Sequence, residues 1–126
     1  MIKFIFIFIF TIATFITPHE QNSSRADFFK EELRANDALL IAIETIDNEF
    51  RIKYQRLSSE IQYRNTELDE LVKKKPFNER KAKAILKKLS EANAQMKLYN
   101  IQHHLAIEGK LDSYQRMKFN EYFKPY

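Results

Sequence analysis

Apolar side chains recur every three or four residues through the middle of the chain, which is the spacing of an amphipathic helix. The first series comprises Leu39, Ile43, Ile46, Phe50, Tyr54, Leu57, Ile61, Leu68 and Val72. Residues 38–73 contain neither proline nor glycine, so the pattern predicts one long helix there, with Asn36 or Asp37 as its N-cap. Pro76 ends this helix because proline lacks the backbone N–H that a helix interior needs.

A second apolar series follows at the same spacing and predicts a second long helix capped by Asn78. Its members are Ala82, Ile85, Leu89, Ala92, Met96, Tyr99, His103 and Ala106. Gly109 stands where a helix often ends on a residue of left-handed conformation, so we expect a positive φ there. Two long helices joined by about five residues pack antiparallel, which predicts a helical hairpin.

Two shorter helices are expected to flank this hairpin. One covers Arg25–Arg34, with Ser24 as its N-cap, and the other covers Ser113–Phe123. The second opens with Asp112 and Gln115 at the spacing of a capping box. The predicted fold class is therefore all-α, with four helices in a domain over residues 25–126. A single hairpin leaves apolar surface uncovered, so we also expect a homodimer.

The first 17 residues, MIKFIFIFIFTIATFIT, form a separate segment ahead of a polar linker at residues 18–24. One positive charge at Lys3 precedes an apolar or small-residue run of about 14 residues, which is short for a bilayer-spanning helix and typical of a signal-peptide core. The segment predicts either a cleaved signal peptide or a short membrane anchor. Both place the remaining chain outside the cytoplasm, in the periplasm, free or held at the inner membrane.

Composition excludes several classes of function. The 126 residues include one glycine and no cysteine, so disulfides, zinc–thiolate sites, cysteine nucleophiles and glycine-rich nucleotide loops are ruled out. No serine, histidine and aspartate set occurs in a plausible catalytic loop. We expect no enzymatic activity.

Charge is distributed unevenly between the two long helices. Residues 18–72 carry 12 acidic and 7 basic side chains, whereas residues 73–126 carry 13 basic and 5 acidic ones. The predicted hairpin tip is the most basic part and contains Lys73, Lys74, Lys75, Arg80, Lys81, Lys83, Lys87 and Lys88. Three interpretations remain open: contact with anionic lipid headgroups, contact with an acidic protein, or a solvated tip. We expect no nucleic-acid partner, since export makes one improbable and only Phe77 could stack on a base.

Histidines near the open end of the predicted hairpin are candidate metal ligands. Folding the chain about residues 75–76 brings His103 close to Glu44 and Asp47, and His104 and Glu108 follow on the same helix. Imidazole with carboxylate suits zinc, nickel, cobalt or copper. A histidine that is merely hydrogen-bonded to a facing carboxylate explains the same pattern equally well. Neighbouring histidines point about 100° apart on a helix, so they do not form a chelating pair.

Three segments resemble the periplasmic heavy-metal resistance and metal-sensor family, which includes nickel–cobalt resistance sensors. They are ELDELVKKKPFNERKA, YNIQHHLAIEGKL and LDSYQRMKF, and the resemblance covers residues 38–123. The last matches the LTxxQ motif of the wider group of periplasmic stress chaperones and zinc-resistance-associated proteins at Leu111 and Gln115, with Asp112 in place of threonine.

The resemblance implies metal ligands at Asp47 and His103. The family's methionine ligand falls on Ile107, which cannot bind metal, and the first short helix, ADFFKEEL, lacks the family's histidines. We therefore expect a weak divalent-metal site at Asp47 and His103, assisted by His104, Glu44 or Glu108.

Two functions follow from these features. The first is a metal-responsive periplasmic sensor or regulator in heavy-metal resistance or envelope stress, acting on a membrane-bound partner. The alternative is an ATP-independent chaperone or adaptor that holds unfolded proteins and needs no metal. A purely structural coiled-coil partner is a third possibility.

Overall fold

The computed structural model describes residues 25–124, and the expectations for the N-terminal segment, the linker and the Ser24 cap lie outside them. These residues form four helices and no β-strand, which confirms the all-α class. The elements are α1 (Phe28–Glu32), α2 (Asp37–Lys73), α3 (Glu79–Glu108) and α4 (Ser113–Tyr122).

The long helices begin at their predicted caps. Asn36 accepts a hydrogen bond from the Leu39 backbone N–H at 2.8 Å, and Asn78 accepts one from that of Lys81 at 3.0 Å. Asp112 and Gln115 form the full capping box at the start of α4. Each cap satisfies backbone donors that the first helical turn leaves without a partner.

α2 and α3 pack along each other. As the residue number rises along α2, the number of the residue that it contacts on α3 falls. Asp47 meets His103, Tyr54 meets Tyr99, and Leu71 packs in one cluster with Ala82. One residue of the predicted seam is wrong: Val72 is 53% exposed, and Leu71 is buried in its place. A shift of one position is enough because successive helical residues point about 100° apart.

The buried residues form two clusters at opposite ends of the α2–α3 pair. The open-end cluster contains Phe28, Phe29, Leu33, Ile43, Ile46, Phe50, Ile107, Leu111 and Phe119. The tip cluster contains only Leu71, Ala82, Ile85 and Leu89. α1 and α4 add their apolar side chains to the open-end cluster alone, so that end has a multilayered core.

α1 departs from the expected α-helix over Arg25–Arg34. A short α-helical turn at residues 25–27 leads into a π-helical segment, in which the Leu33 N–H bonds the Phe28 carbonyl at 3.2 Å. The wider helical turn places Phe28, Phe29 and Leu33 together in the open-end cluster. Burial of these three side chains explains why the segment departs from regular α geometry.

The prediction of a left-handed conformation at Gly109 is also wrong. Gly109 has a φ of −64°, and its N–H bonds the Leu105 carbonyl at 2.9 Å, so α3 ends in right-handed turns. The positive φ occurs instead at Arg34, with a value of 49°, in the connection between α1 and α2. Burial of Leu111 two residues after Gly109 draws the chain towards the core without a left-handed step.

Candidate functional site

Asp47 on α2 joins three elements at the open end of the molecule. Its Oδ1 accepts a hydrogen bond from His103 Nε2 on α3 at 2.7 Å, and its Oδ2 accepts one from Arg25 Nη1 at 2.9 Å. Asp47 and His103, predicted as neighbours, are therefore in direct contact. Arg25, which precedes α1, is a partner that the helical spacing did not indicate.

Aromatic side chains fix the orientation of the His103 ring. The ring stacks on Phe50 with centroids 4.8 Å apart and planes 15° apart. Its Nδ1 lies 3.3 Å from the Tyr54 hydroxyl, which donates to it when the imidazole is neutral with its proton on Nε2. Both ring nitrogens therefore have partners, and the ring is held on two sides.

Burial and charge act together on Tyr54. Desolvation raises the pKa of the Tyr54 hydroxyl above its ordinary value of 10.0, the nearby Arg25 cation partly lowers it, and Asp47 raises it. The hydroxyl therefore stays protonated at neutral pH. It can therefore act as the donor towards His103 Nδ1.

Asp47 and His103 lie in the wall of a groove of about 860 Å³. Phe29, Leu40 and Ile43 provide apolar lining, while Arg25, Lys30, Arg51 and Glu44 contribute charge. This volume lies within the range of about 300–1,000 Å³ that is common for small-molecule sites. Glu44 also lines the groove and lies about one helical turn before Asp47 on α2.

His104 occupies a different environment from His103. It is almost completely buried, stacks on Phe119 of α4 with centroids 4.5 Å apart, and donates from Nε2 to Asn120 Oδ1 at 2.6 Å. Glu108 Oε2 is 3.7 Å from the same nitrogen and its other oxygen lies 3.8 Å from Arg116. The structure thus groups His104 and Glu108 with α4, apart from the Asp47–His103 pair.

The donor set for a metal is consequently small. Among residues 25–124, no group of three or more histidine and carboxylate side chains is arranged to hold an ion. Asp47 and His103 alone supply one oxygen and one imidazole nitrogen in contact, and Arg25 already neutralises the carboxylate. The residues fit a two-ligand site completed by water, which is poorer than the three or four protein ligands of established zinc sites.

The basic tip is exposed on both sides of the turn that joins α2 and α3. Lys73 pairs with Glu70 at 2.8 Å, and Lys83 pairs with Glu79 at 2.9 Å. The hydrogen bond from Lys73 lowers the pKa of Glu70, and the same bond raises the pKa of Lys73. Lys74, Lys75, Arg80 and Lys81 form no ion pair with any residue that the structure describes.

The sequence reasoning missed three residues of the open end: Arg25, Tyr54 as a histidine partner, and Asn120. Tyr54 could have been found, since it lies two helical turns after Asp47 on the same apolar face. Arg25 lies in the turn before α1 and Asn120 lies on α4, and no periodic pattern specifies how these short elements dock.

No family model, curated protein or solved structure matches this chain. Within residues 25–124, no helix has an apolar stretch long enough to cross a membrane.

Proposed function

We propose that the chain is an exported, metal-responsive regulator built on an antiparallel helical hairpin. A divalent ion such as zinc, nickel, cobalt or copper would bind weakly at Asp47 and His103. The observation that carries this proposal is the 2.7 Å contact between His103 Nε2 and Asp47 Oδ1 in the wall of an open groove. Imidazole and carboxylate are ligands that these metals accept, and the groove admits solvent and ions.

Arg25 gives this site a means of signalling. Its guanidinium occupies Asp47 Oδ2 and also lies 5.6 Å from the centre of the Phe29 ring, so it ties the residues that lead into α1 to α2. A cation at Asp47 would repel this guanidinium, and His103 would bind the cation through Nε2 as the tautomer that carries its proton on Nδ1, where the Tyr54 hydroxyl oxygen can accept it. Loss of the Arg25 contact would loosen α1 and change the surface that a membrane-bound partner meets.

Calorimetric titration with zinc and copper tests the proposal. We expect a weak heat of binding for the wild type and none for His103→Gln or Asp47→Asn. Arg25→Gln should bind metal more tightly, since it removes a competing cation while leaving both ligands in place. Glu108→Gln is the matched control, because Glu108 lies with α4 and should not affect the titration.

Hydrogen exchange then tests the signalling step. Metal should accelerate exchange at the Leu33 and Ala35 amides, which bond carbonyls of α1, without affecting the α3 amides near Ala92. Equal heats for the wild type and His103→Gln would overturn the metal site. Binding without a change at Leu33 would overturn the release of α1.

The homodimer belongs to the same proposal and is supported by an apolar stripe on the outer side of α3. Ala94, Leu98, Ile101 and Leu105 follow the four–three–four spacing of a coiled-coil seam, opposite the face that packs on α2. Leu98 is 45% and Leu105 56% exposed, and Lys97 is the only lysine, arginine or carboxylate in residues 92–107. Low charge around an apolar centre is typical of helical interfaces.

Sedimentation equilibrium tests the dimer. Leu98→Ser combined with Leu105→Ser should give a monomer, while Ile41→Ser, at an equally exposed position on α2, should remain a dimer. A wild-type protein that sediments as a monomer at every concentration contradicts the proposal.

The chaperone or adaptor function is the second candidate, favoured by the number of exposed apolar side chains. Besides the α3 stripe, these include Ile41, Ile52, Tyr63, Tyr114, Met117 and Tyr122. Such positions could hold unfolded segments of other proteins without metal. Suppressed aggregation of a denatured client, equal for wild type and His103→Gln, would favour this function over the regulator.

A further inference from the structure

The turn between α2 and α3 presents apolar side chains to solvent among basic ones. Phe77 lies in the turn itself and is 48% exposed, and Val72 in the last turn of α2 is 53% exposed. Neither side chain belongs to the tip cluster. Phe77 lies outside the helices and does not pack in either core cluster. Core packing therefore gives no reason for a phenylalanine at this exposed position.

The charges around Phe77 are strongly one-sided. Residues 73–88 contain eight basic side chains and one acidic one. Glu70 and Glu79 neutralise Lys73 and Lys83. The other six basic side chains have no ion-pair partner among residues 25–124: Lys74, Lys75, Arg80, Lys81, Lys87 and Lys88. Because the chain has few acids nearby, these cations are available to an anionic surface.

We infer that this tip is a docking site for an anionic lipid bilayer, with Phe77 and Val72 entering the interface and the surrounding lysines contacting headgroup phosphates. Basic residues beside a negatively charged leaflet are attracted individually, and an apolar side chain adds burial at the headgroup boundary. Lysine stems can lie along the apolar boundary while their ammonium groups remain at the phosphates.

The dimensions of the tip favour a bilayer over an acidic protein. Two adjacent helices, each about 10 Å across, end in a surface of roughly 200–300 Å². A stable protein interface needs about 800 Å² from each partner and a matching shape. A bilayer needs no matching shape and tolerates cations distributed around the tip instead of on one face.

This site is independent of the Asp47–His103 groove. Residues 47 and 73 are separated by 26 helical positions, or about 39 Å along α2. Lipid binding at the tip therefore neither requires nor disturbs metal at the open end. The two proposals can fail separately.

The absence of cysteine permits a site-specific test with the full chain. Val72→Cys carries an environment-sensitive fluorophore at the tip, and Tyr114→Cys, equally exposed on α4, carries it at the open end as the matched control. Vesicles of phosphatidylglycerol with phosphatidylethanolamine should shift the tip emission to the blue. Phosphatidylcholine vesicles should leave it unchanged, and high salt should abolish the shift.

Substitutions then separate the contributions of charge and burial. Lys74→Gln with Lys75→Gln should weaken the partition measured at the tip by about 30-fold. Phe77→Ala should weaken it by about tenfold. Lys110→Gln with Lys124→Gln removes two exposed charges from the other end and should leave the tip signal unchanged.

Three outcomes overturn the inference. The first is no tip shift with anionic vesicles, and the second is a shift that the Lys74 and Lys75 substitutions leave intact. The third is binding of soluble polyglutamate as tight as that of the vesicles, which would assign the tip to acidic proteins. Circular dichroism of each variant checks that the helices persist.

Discussion

The two ends of the α2–α3 pair are built from the same two helices and differ in almost every physical property. At the open end, nine buried residues form one cluster and the charges of Arg25, Asp47 and His103 meet one another. At the tip, four residues are buried and most cations face solvent. The difference comes from α1 and α4, which cover only the open end.

This contrast separates what stabilises the molecule from what it presents to other molecules. Phe28 and Phe29 of α1 contact Phe119 of α4 and Phe123, the residue that follows α4. Such aromatic pairs add about 0.5–1.5 kcal/mol each beyond burial. Among residues 25–124, no comparable pair of aromatic rings occurs at the tip. We therefore expect most of the free energy of unfolding to come from the open end.

Core truncation provides the largest test of this comparison. Phe119→Ala should lower the free energy of unfolding by about 4 kcal/mol, because it removes a ring that is 2% exposed and packs between α1 and His104. Leu89→Ala in the tip cluster should lower it by about 2 kcal/mol, since the small cluster can collapse around the gap. Urea unfolding followed by circular dichroism measures both. An equal or larger loss for Leu89→Ala would refute the comparison.

Arg64 offers a way to strengthen the tip. It lies between Ile61 and Leu68 in the apolar series, pairs with Glu67 at 3.1 Å, and has a buried Nε without a hydrogen-bond partner among the described residues. Replacing a part-buried ion pair by apolar packing is often stabilising. Arg64→Leu with Glu67→Gln should raise the free energy of unfolding by about 1 kcal/mol. Lys53→Leu, at an exposed α2 position, is the control and should give no such gain.

Helix caps at the two ends give a paired test. Asn78→Ala removes one cap bond at the tip and should reduce the free energy of unfolding by about 1 kcal/mol. Gln115→Ala should reduce it by about 2 kcal/mol, because Gln115 accepts from the Asp112 N–H and also donates to the Leu33 carbonyl at 2.9 Å. Equal losses in urea unfolding would show that the Leu33 link contributes nothing.

The smallest effect concerns alkaline pH. Burial raises the pKa of Tyr54 above 10.0 in the folded state, so the unfolded chain releases this proton first. The resulting stability is fully present below pH 10.0 and is lost as the pH rises above it. Tyr54→Phe should therefore show a shallower fall in the free energy of unfolding above pH 10.0 than the wild type. Identical slopes would remove Tyr54 as the cause.

Periodicity and capping chemistry predicted the long helices well. Asn78, Asp112 and Gln115 act locally, within one helical turn, so their roles can be recognised from spacing alone. The facing of His103 and Asp47 was also accessible, because a short turn fixes the register of two helices. Leu71 shows the limit: a pattern with a period of 3.6 identifies a face to within about one residue.

The short helices escaped prediction because their positions depend on the whole core. Nothing in ADFFKEEL specifies π-helical turns, which arise where Phe28, Phe29 and Leu33 must all be buried. Arg25 reaches Asp47 only once α1 is docked. His104 was expected to assist a metal, but its partner Asn120 lies on α4, a contact across 16 residues that no sequence period encodes.

The division of the core into two clusters has a consequence for folding cooperativity. Leu57 and Ala92 are buried between the clusters but belong to neither, so the ends are connected by the backbone hydrogen bonds of α2 and α3 and by few buried side chains. The tip can therefore fray while the open end stays folded, and its amides should exchange through partial openings of lower free energy than those of Ile46 and Ile107. This protein should behave as two unequal opening units that share a pair of helices.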